Sequence, residues 1–388
     1  MRRLLIAICT LATAAGSLLA VSPAPAGAAV PSTLDVVGHG YGHGRGMGQW
    51  GAYGYALQGW SYQQILGHYY GGTTPAGVSQ STVIPVHLVE LDGYSAVTVV
   101  DAAGRHSVTA GSPAFTPAGG VAWVEGSWSG GSLWRPFLGQ IQVLSNDTTI
   151  NLVPIEDYVQ GVVPAESPAS WGVNGEASLE AQAVAARSYA LAYLGGSSSI
   201  CDNTWCQMYV GDPNPLQGPD GLHAAYGSYV SYSNEAEIYT AGQILECGSD
   251  TACGAPTQVA RTEFSSSTGG YTAGGAFPAV VDAGDSVSPY HTWTATIPTS
   301  RIQALFPSVG TLQSVTVTQR NGLGDLGGRV LQVVLQGGAG RITLTGSEFA
   351  ADLGLRSDWF AFTNAATSGG GTDGYWVVAS TGAVYPFG

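Results

Sequence analysis

Glycine takes every second position from Gly38 to Gly46 in the run GHGYGHGRG, and no other stretch restricts the fold as strongly. Glycines so placed disfavour a helix and permit backbone conformations and close approaches that side chains forbid. Residues 39–73, HGYGHGRGMGQWGAYGYALQGWSYQQILGHYYGGT, add three histidines and many aromatics, with no acidic residue among them. Three uses are open for such a block: a metal site, a phosphate cradle, or a scaffold for chemistry supplied from elsewhere. His39 and His43 stand four apart, yet among glycines the helical geometry of a paired metal site is not expected. The block reads as one wall of a cleft, with His39, His43 or Gln49 offering hydrogen bonds, or as a purely structural turn. Beyond it, the stretch from Ala52 to Tyr69 reads as a helix that packs Tyr55, Leu66 and Tyr69 inward.

Residues 1–28 carry the pattern of an export signal: basic Arg2 and Arg3, an apolar stretch from Leu4 to Val21, and an Ala26-Gly27-Ala28 cleavage site. The expectation is a secreted protein, extracellular or associated with the cell wall. No later stretch approaches the ~20 apolar residues of a membrane span. The net charge is −14, and losing a leader with two arginines and no acids makes it more negative still. All twelve basic residues are arginine, and none clusters into a face that tracks a phosphate backbone, so nucleic acid is excluded as a partner. With 57 glycines, 45% hydrophobic and only 10% charged residues, a rigid, loop-rich protein with a substantial core is expected. Cys201 and Cys206, and Cys247 and Cys253, form two close pairs, which in an oxidising space read as short-loop disulfides.

Short runs of alternating polarity over residues 83–155, such as VIPVHLVEL and TTINLVPI, predict antiparallel strands. Residues 174–194 contain no proline and space Leu179, Ala183, Ala186, Ala190 and Leu194 at helical intervals. They predict one central amphipathic helix, with Asn174 as its cap. Loops and short strands are expected over 196–290, a second β region over 311–362 with strands at 315–346, and a short helix around SEFAADLG. Residues 366–374 read as a linker and 375–388 as a repeat-like hairpin. The fold class is α+β, mainly antiparallel β, with one large core spanning residues 29–365.

The chemistry has one clear candidate. Glu166 lies in VVPAESPASW between Pro164 and Pro168, so a stiff turn presents its carboxylate. Val162, Val163 and Trp171 supply the apolar surroundings that raise a carboxyl pKa toward that of a working acid. An exposed loop glutamate is the plainer alternative.

The stretches EDYVQGVVPAESPASW and EAQAVAARSYAL resemble the core motif of the SpoIID/LytB family, of stage II sporulation protein D and the amidase enhancer LytB. GHGYGHGRGMGQWGAYGYALQGW, CQMYVG, FSSSTGGYTAGG and LTGSEFAADLGLRSDWF resemble further segments of that family, together covering most of residues 36–362. The resemblance implies a lytic transglycosylase that cuts glycan strands of peptidoglycan, preferentially denuded ones, or a wall-binding module that enhances an amidase. It implies Glu166 as the catalytic residue, with Arg187 and Tyr271 as further site candidates, although Arg187 suits a structural ion pair equally well. A hydrolase would need a second acid, for which Asp157, Glu176 or Glu180 are available. Sporulation itself is not implied, since relatives occur outside it.

Two departures from the family pattern stand out. The Gly/His block comes first here and last in most relatives, an order that a circular permutation explains if residues 36–75 pack against residues 340–362. Some relatives hold a zinc near the site, at an HCQVY-like stretch that here reads CDNTWCQMY. Cys206 keeps its place and Cys201 is a candidate for another ligand, but Trp205 stands where a histidine would, so further ligands would have to come through the fold from His39, His43 or His223. Two ligands do not close a tetrahedral site, so the expectation is no metal, with zinc on these cysteines as the alternative to a disulfide.

Overall fold

The computed structural model describes residues 30–364 except 129, 130, 132, 250 and 251, and the backbone of residues 375–378 and 384–387. The expected leader at 1–28 and the linker at 366–374 lie outside the described residues. The fold is α+β, with several small, mostly antiparallel sheets around a buried helical centre.

The Gly/His segment enters as the strand Thr33–His39, the middle of a three-stranded antiparallel sheet. Thr292–Pro298 lies on one side of it and Phe360–Phe362 on the other. Residues 36–42 therefore sit directly on residues 356–362: Gly38 is opposite Phe360, and the Gly42 N–H donates to the Arg356 carbonyl at 2.9 Å. This contact falls within the two segments, 36–75 and 340–362, that were expected to pack together.

Two helices follow where the sequence suggested one. Gln49–Leu57 (α1) and Tyr62–Tyr69 (α2) are split because Gly59 adopts φ +84° and Ser61 starts a new helix, its hydroxyl and Gln64 capping each other's backbone N–H. Tyr55, Leu66 and Tyr69 are buried, as their spacing indicated.

The expected β structure between residues 83 and 154 enters two four-stranded sheets, one of them completed by Ile200–Cys201, which pairs in parallel with Val83–His87. One orders the strands Ile200–Cys201, Val83–His87, Thr149–Pro154 and Gln140–Val143; the other orders Gly104–Thr109, Ala96–Asp101, Val121–Glu125 and Trp134–Leu138. Thr149–Pro154 leads straight into Ile155–Glu166 (α3), whose Ile155, Tyr158, Val159, Val162 and Val163 are fully buried.

The long helix Gly172–Leu194 (α4) is the centre of the molecule. Asn174 does not cap it: the turn Ala169–Trp171 runs directly into the helix, and Gly175 leaves helical geometry at φ −140°, ψ 40°. From Ala181 to Ala190 every residue is buried, so the helical spacing of alanines marks only one of the faces that α4 buries. The abundance of alanine lets neighbours close in on all sides.

Val230–Tyr239 (α5) packs on α3 and α4 within a region expected to be loops and short strands. Thr299–Leu305 (α6) precedes the three-stranded sheet Leu312–Arg320, Val330–Gly337 and Arg341–Thr345. Gly346–Leu353 (α7) completes the region at SEFAADLG, with a Thr345/Glu348 capping box. Tyr375–Val378 and Val384–Phe387 pair as a hairpin.

The apolar interior forms three clusters. One lies between the four-stranded sheets, α3 and α4; a second gathers α1, α2 and the other face of α4; a third lies under the sheets of the C-terminal half. Cys201–Cys206 and Cys247–Cys253 are both disulfides, with Cα atoms 5.5 and 5.9 Å apart. No helix among the described residues is long and apolar enough to cross a membrane.

Candidate functional site

Glu166 is the last residue of α3, where the sequence suggested a turn between prolines. Pro164 is tolerated inside the final turn, and the helix stops because Pro168 forces Ser167 into an extended conformation, φ −126°, ψ 132°. The glutamate is thus fixed at a helix end next to the start of α4.

Two neighbours hold its carboxylate. The Met208 backbone N–H donates to Oε1 at 2.6 Å, and the Gln49 side-chain amide donates to Oε2 at 3.2 Å. Met208 reaches Glu166 because the CQMYVG segment lies flat on α3 at Gly161, where a Cβ would come within 2.6 Å of the Tyr209 ring. Gln207 pins the same segment by donating to Tyr158 Oη at 2.6 Å and to the Ala186 carbonyl. Beneath Gln49 lies Gln182 of α4, fully buried, whose Oε1 faces the Gln49 amide at 3.5 Å and accepts from Ser167 Oγ at 3.4 Å. The Gln182 Nε2 has no hydrogen-bond partner among the described residues.

Burial pushes the Glu166 carboxyl above its ordinary pKa, and the two donors only partly oppose this. A carboxyl in this state exchanges protons nearer neutrality than an exposed one does.

The group opens onto a cavity of about 500 Å³. The Gly/His block forms one wall with Tyr41, His43, Arg45 and Gln49; Ser265 and Ser266 form another; Thr204, Trp205 and Cys206 form the rim on the disulfide loop. The block takes this course through positive φ at Gly40, Gly42, Gly44 and Gly46. At Gly46 (φ 63°) a Cβ would collide with the Glu263 carbonyl, and at Gly44 (φ 67°) with the Arg329 guanidinium.

His43 is held neutral. Burial lowers its pKa to about 4, with the Arg45 charge adding to the effect. Its Nδ1 accepts the Arg45 N–H at 3.0 Å, which leaves the proton on Nε2. The cavity has a second carboxylate, Glu263. Burial works to raise its pKa, but Arg45, donating at 2.8 and 3.2 Å, wins and holds it ionised.

The other sequence candidates lie elsewhere. Arg187 is fully buried in α4 and grips Glu156 through Nε and Nη2, the latter at 2.6 Å, while also donating to the carbonyls of Glu237 and Gln243. This is the structural ion pair that the sequence left open. His39 donates from Nδ1 to the His291 carbonyl and packs on Trp359. Tyr271 lines a second cavity, of about 460 Å³, with His291, Asp325 and Trp359. Asp157, in the first turn of α3, and Glu176 and Glu180, on α4, do not line the Glu166 cavity. Burial and the neighbouring Glu176 push the Glu180 carboxyl up to about 7. The zinc alternative does not fit: Cys201 and Cys206 are spent in a disulfide, and no group of three or more His, Cys, Asp or Glu among the described residues is placed to hold a metal.

Met208, Gln182, Ser167, Glu263 and Trp205 were missed as site residues. Gln182 and Met208 fall inside EAQAVAARSYAL and CQMYVG, so the long motifs were the available signal. A backbone donor and a buried amide carry no chemical mark of their own.

No curated protein matches the chain. Residues 145–246, which contain Glu166, α4 and the Cys201–Cys206 loop, match the family model described as stage II sporulation protein, SpoIID.

Proposed function

We propose that this chain is an exported peptidoglycan lytic transglycosylase in which Glu166 alone acts as acid and then base. The SpoIID match over residues 145–246 fits a role at the cell wall. The observation that carries the finer reading is the pairing state of the two carboxyls in the cavity. Glu166 is biased toward its protonated form by burial, whereas Glu263 is tied to Arg45 as an ion pair. One carboxyl that trades a proton suits a reaction with no water as reactant; a hydrolase needs a second, free acid.

In this reading Glu166 protonates the glycosidic oxygen between N-acetylmuramic acid and N-acetylglucosamine. As carboxylate it then takes the proton from the C6 hydroxyl, which attacks C1 and closes the 1,6-anhydro ring. The Met208 N–H and the Gln49 amide stabilise the carboxylate between the two transfers. His43 Nε2 and the serine hydroxyls supply neutral hydrogen bonds to acetamido and hydroxyl groups.

The test is product chemistry on denuded glycan strands by mass spectrometry. Anhydro ends from the wild type that disappear in Glu166→Gln are expected. Saturated reducing ends would identify a hydrolase. No cleavage by either protein would leave a wall-binding module that enhances an amidase.

A further inference from the structure

We propose that Trp205 is a sugar-stacking platform that binds the face of a pyranose ring next to the reacting bond, a subsite that rests on the glycan-cleaving reading above. Trp205 is the one exposed tryptophan among the described side chains, with 89% of its surface accessible, and it stands on the rim of the Glu166 cavity. It makes no ring stacking or cation–π contact with any described residue. A ring of this size left bare on a rigid support is poised to meet a ligand.

The support is rigid for identifiable reasons. Cys201–Cys206 closes the loop, and Ile200–Cys201 joins the sheet beside Val86 and His87. Asn203 accepts the Trp205 N–H at 3.0 Å through Oδ1, and the Cys206 N–H at 3.0 Å through its carbonyl. Asp202 is buried and accepts the Val89 N–H at 3.2 Å and the Tyr209 N–H at 3.1 Å. The backbone that carries the ring is thereby held three residues before Met208, the donor to Glu166. Little loop entropy remains to be lost on binding.

The surroundings select the ligand class. Thr204, Ser265 and Ser266 line the same cavity, beside Tyr41, Tyr189, Arg261 and the Arg45–Glu263 pair, so the aromatic face shares the cavity with several hydroxyls. That combination matches a saccharide, whose C–H face covers an aromatic ring while its hydroxyls take hydrogen bonds. A stem peptide would call for an apolar side-chain pocket.

The experiment measures the affinity of denuded glycan strands by calorimetry in a Glu166→Gln background, where turnover does not interfere. Adding Trp205→Ala should weaken binding about tenfold, and Trp205→Tyr should restore most of it. In the active protein, Trp205→Ala should raise KM while kcat stays within a few-fold. Because the side chain is exposed, the melting temperature should not move. Unchanged affinity in Trp205→Ala would overturn the platform, whether or not the wild type produces anhydro ends. A loss seen only with strands that keep their stem peptides would overturn it as well. Absence of anhydro ends from the wild type, with the affinity loss intact, would instead strike the catalytic reading and leave the subsite standing.

Discussion

At the scale of residues, the proposed mechanism turns on the protonation state of Glu166. Its folded pKa is raised by burial, so the acid form persists to higher pH than in an exposed glutamate. Since the first step needs that form, kcat/KM should fall as pH rises through the raised value. Gln49 lowers the pKa by donating to the carboxylate, so Gln49→Ala should move the alkaline limb to still higher pH. A limb that stays in place or moves toward acid would remove Glu166 as the titrating group. Arg187 belongs to stability: Arg187→Ala strands Glu156 in the interior and should cost about 3–5 kcal/mol in chemical denaturation, with Arg187→Lys recovering only part. Unchanged stability with a raised KM would return Arg187 to the substrate. Glu166, His43 and Gln49 line one cavity, and as candidates they were legible because each sits in a distinctive local stretch. Glu263 was not, because its role depends on Arg45, 218 residues away in sequence.

At the scale of elements, α1 illustrates packing overriding propensity. Gly51 is inside a helix, where alanine should gain about 1 kcal/mol. Its Cβ would strike the Asp282 carboxylate and the Tyr69 hydroxyl, and overpacking of this kind costs about 1–3 kcal/mol. Gly51→Ala should therefore lower the melting temperature, and a rise would show that the contact relaxes freely. Asp282 accepts from Tyr69 and Thr268 on either side of this contact. Burial, followed by repulsion from Asp285, pushes its carboxyl from the ordinary 3.8 up to about 7. The folded state thus binds this proton more tightly than the unfolded chain does. The stabilisation is complete below pH ~4 and is lost as pH rises through about 7, a trend that Asp282→Asn should flatten in urea melts at several pH values. Strands, α7 and the long α4 were legible from periodicity. The break between α1 and α2 was hidden by continuous apolar spacing, and α5, VSYSNEAEIY, offers no apolar stripe to read.

At the scale of the whole molecule, the cavity is assembled from pieces far apart in the chain: the Gly/His block near the start, the end of α3, the Cys201–Cys206 loop, and residues 261–266. Long motifs marked these pieces as candidates, but their mutual arrangement depends on sheet pairing that a single sequence does not encode locally. The overall charge of −14 has a consequence of its own. Denuded strands carry lactyl carboxylates, so added salt should leave strand affinity constant or tighten it by screening repulsion. A steep loss with salt would indicate recognition through ion pairs instead of rings and neutral donors. The most direct test of a single proton-trading carboxyl is digestion of denuded strands in water enriched in heavy oxygen, followed by mass spectrometry of the new ends. Anhydro ends free of the label are predicted; one labelled oxygen at each new reducing end would contradict the mechanism.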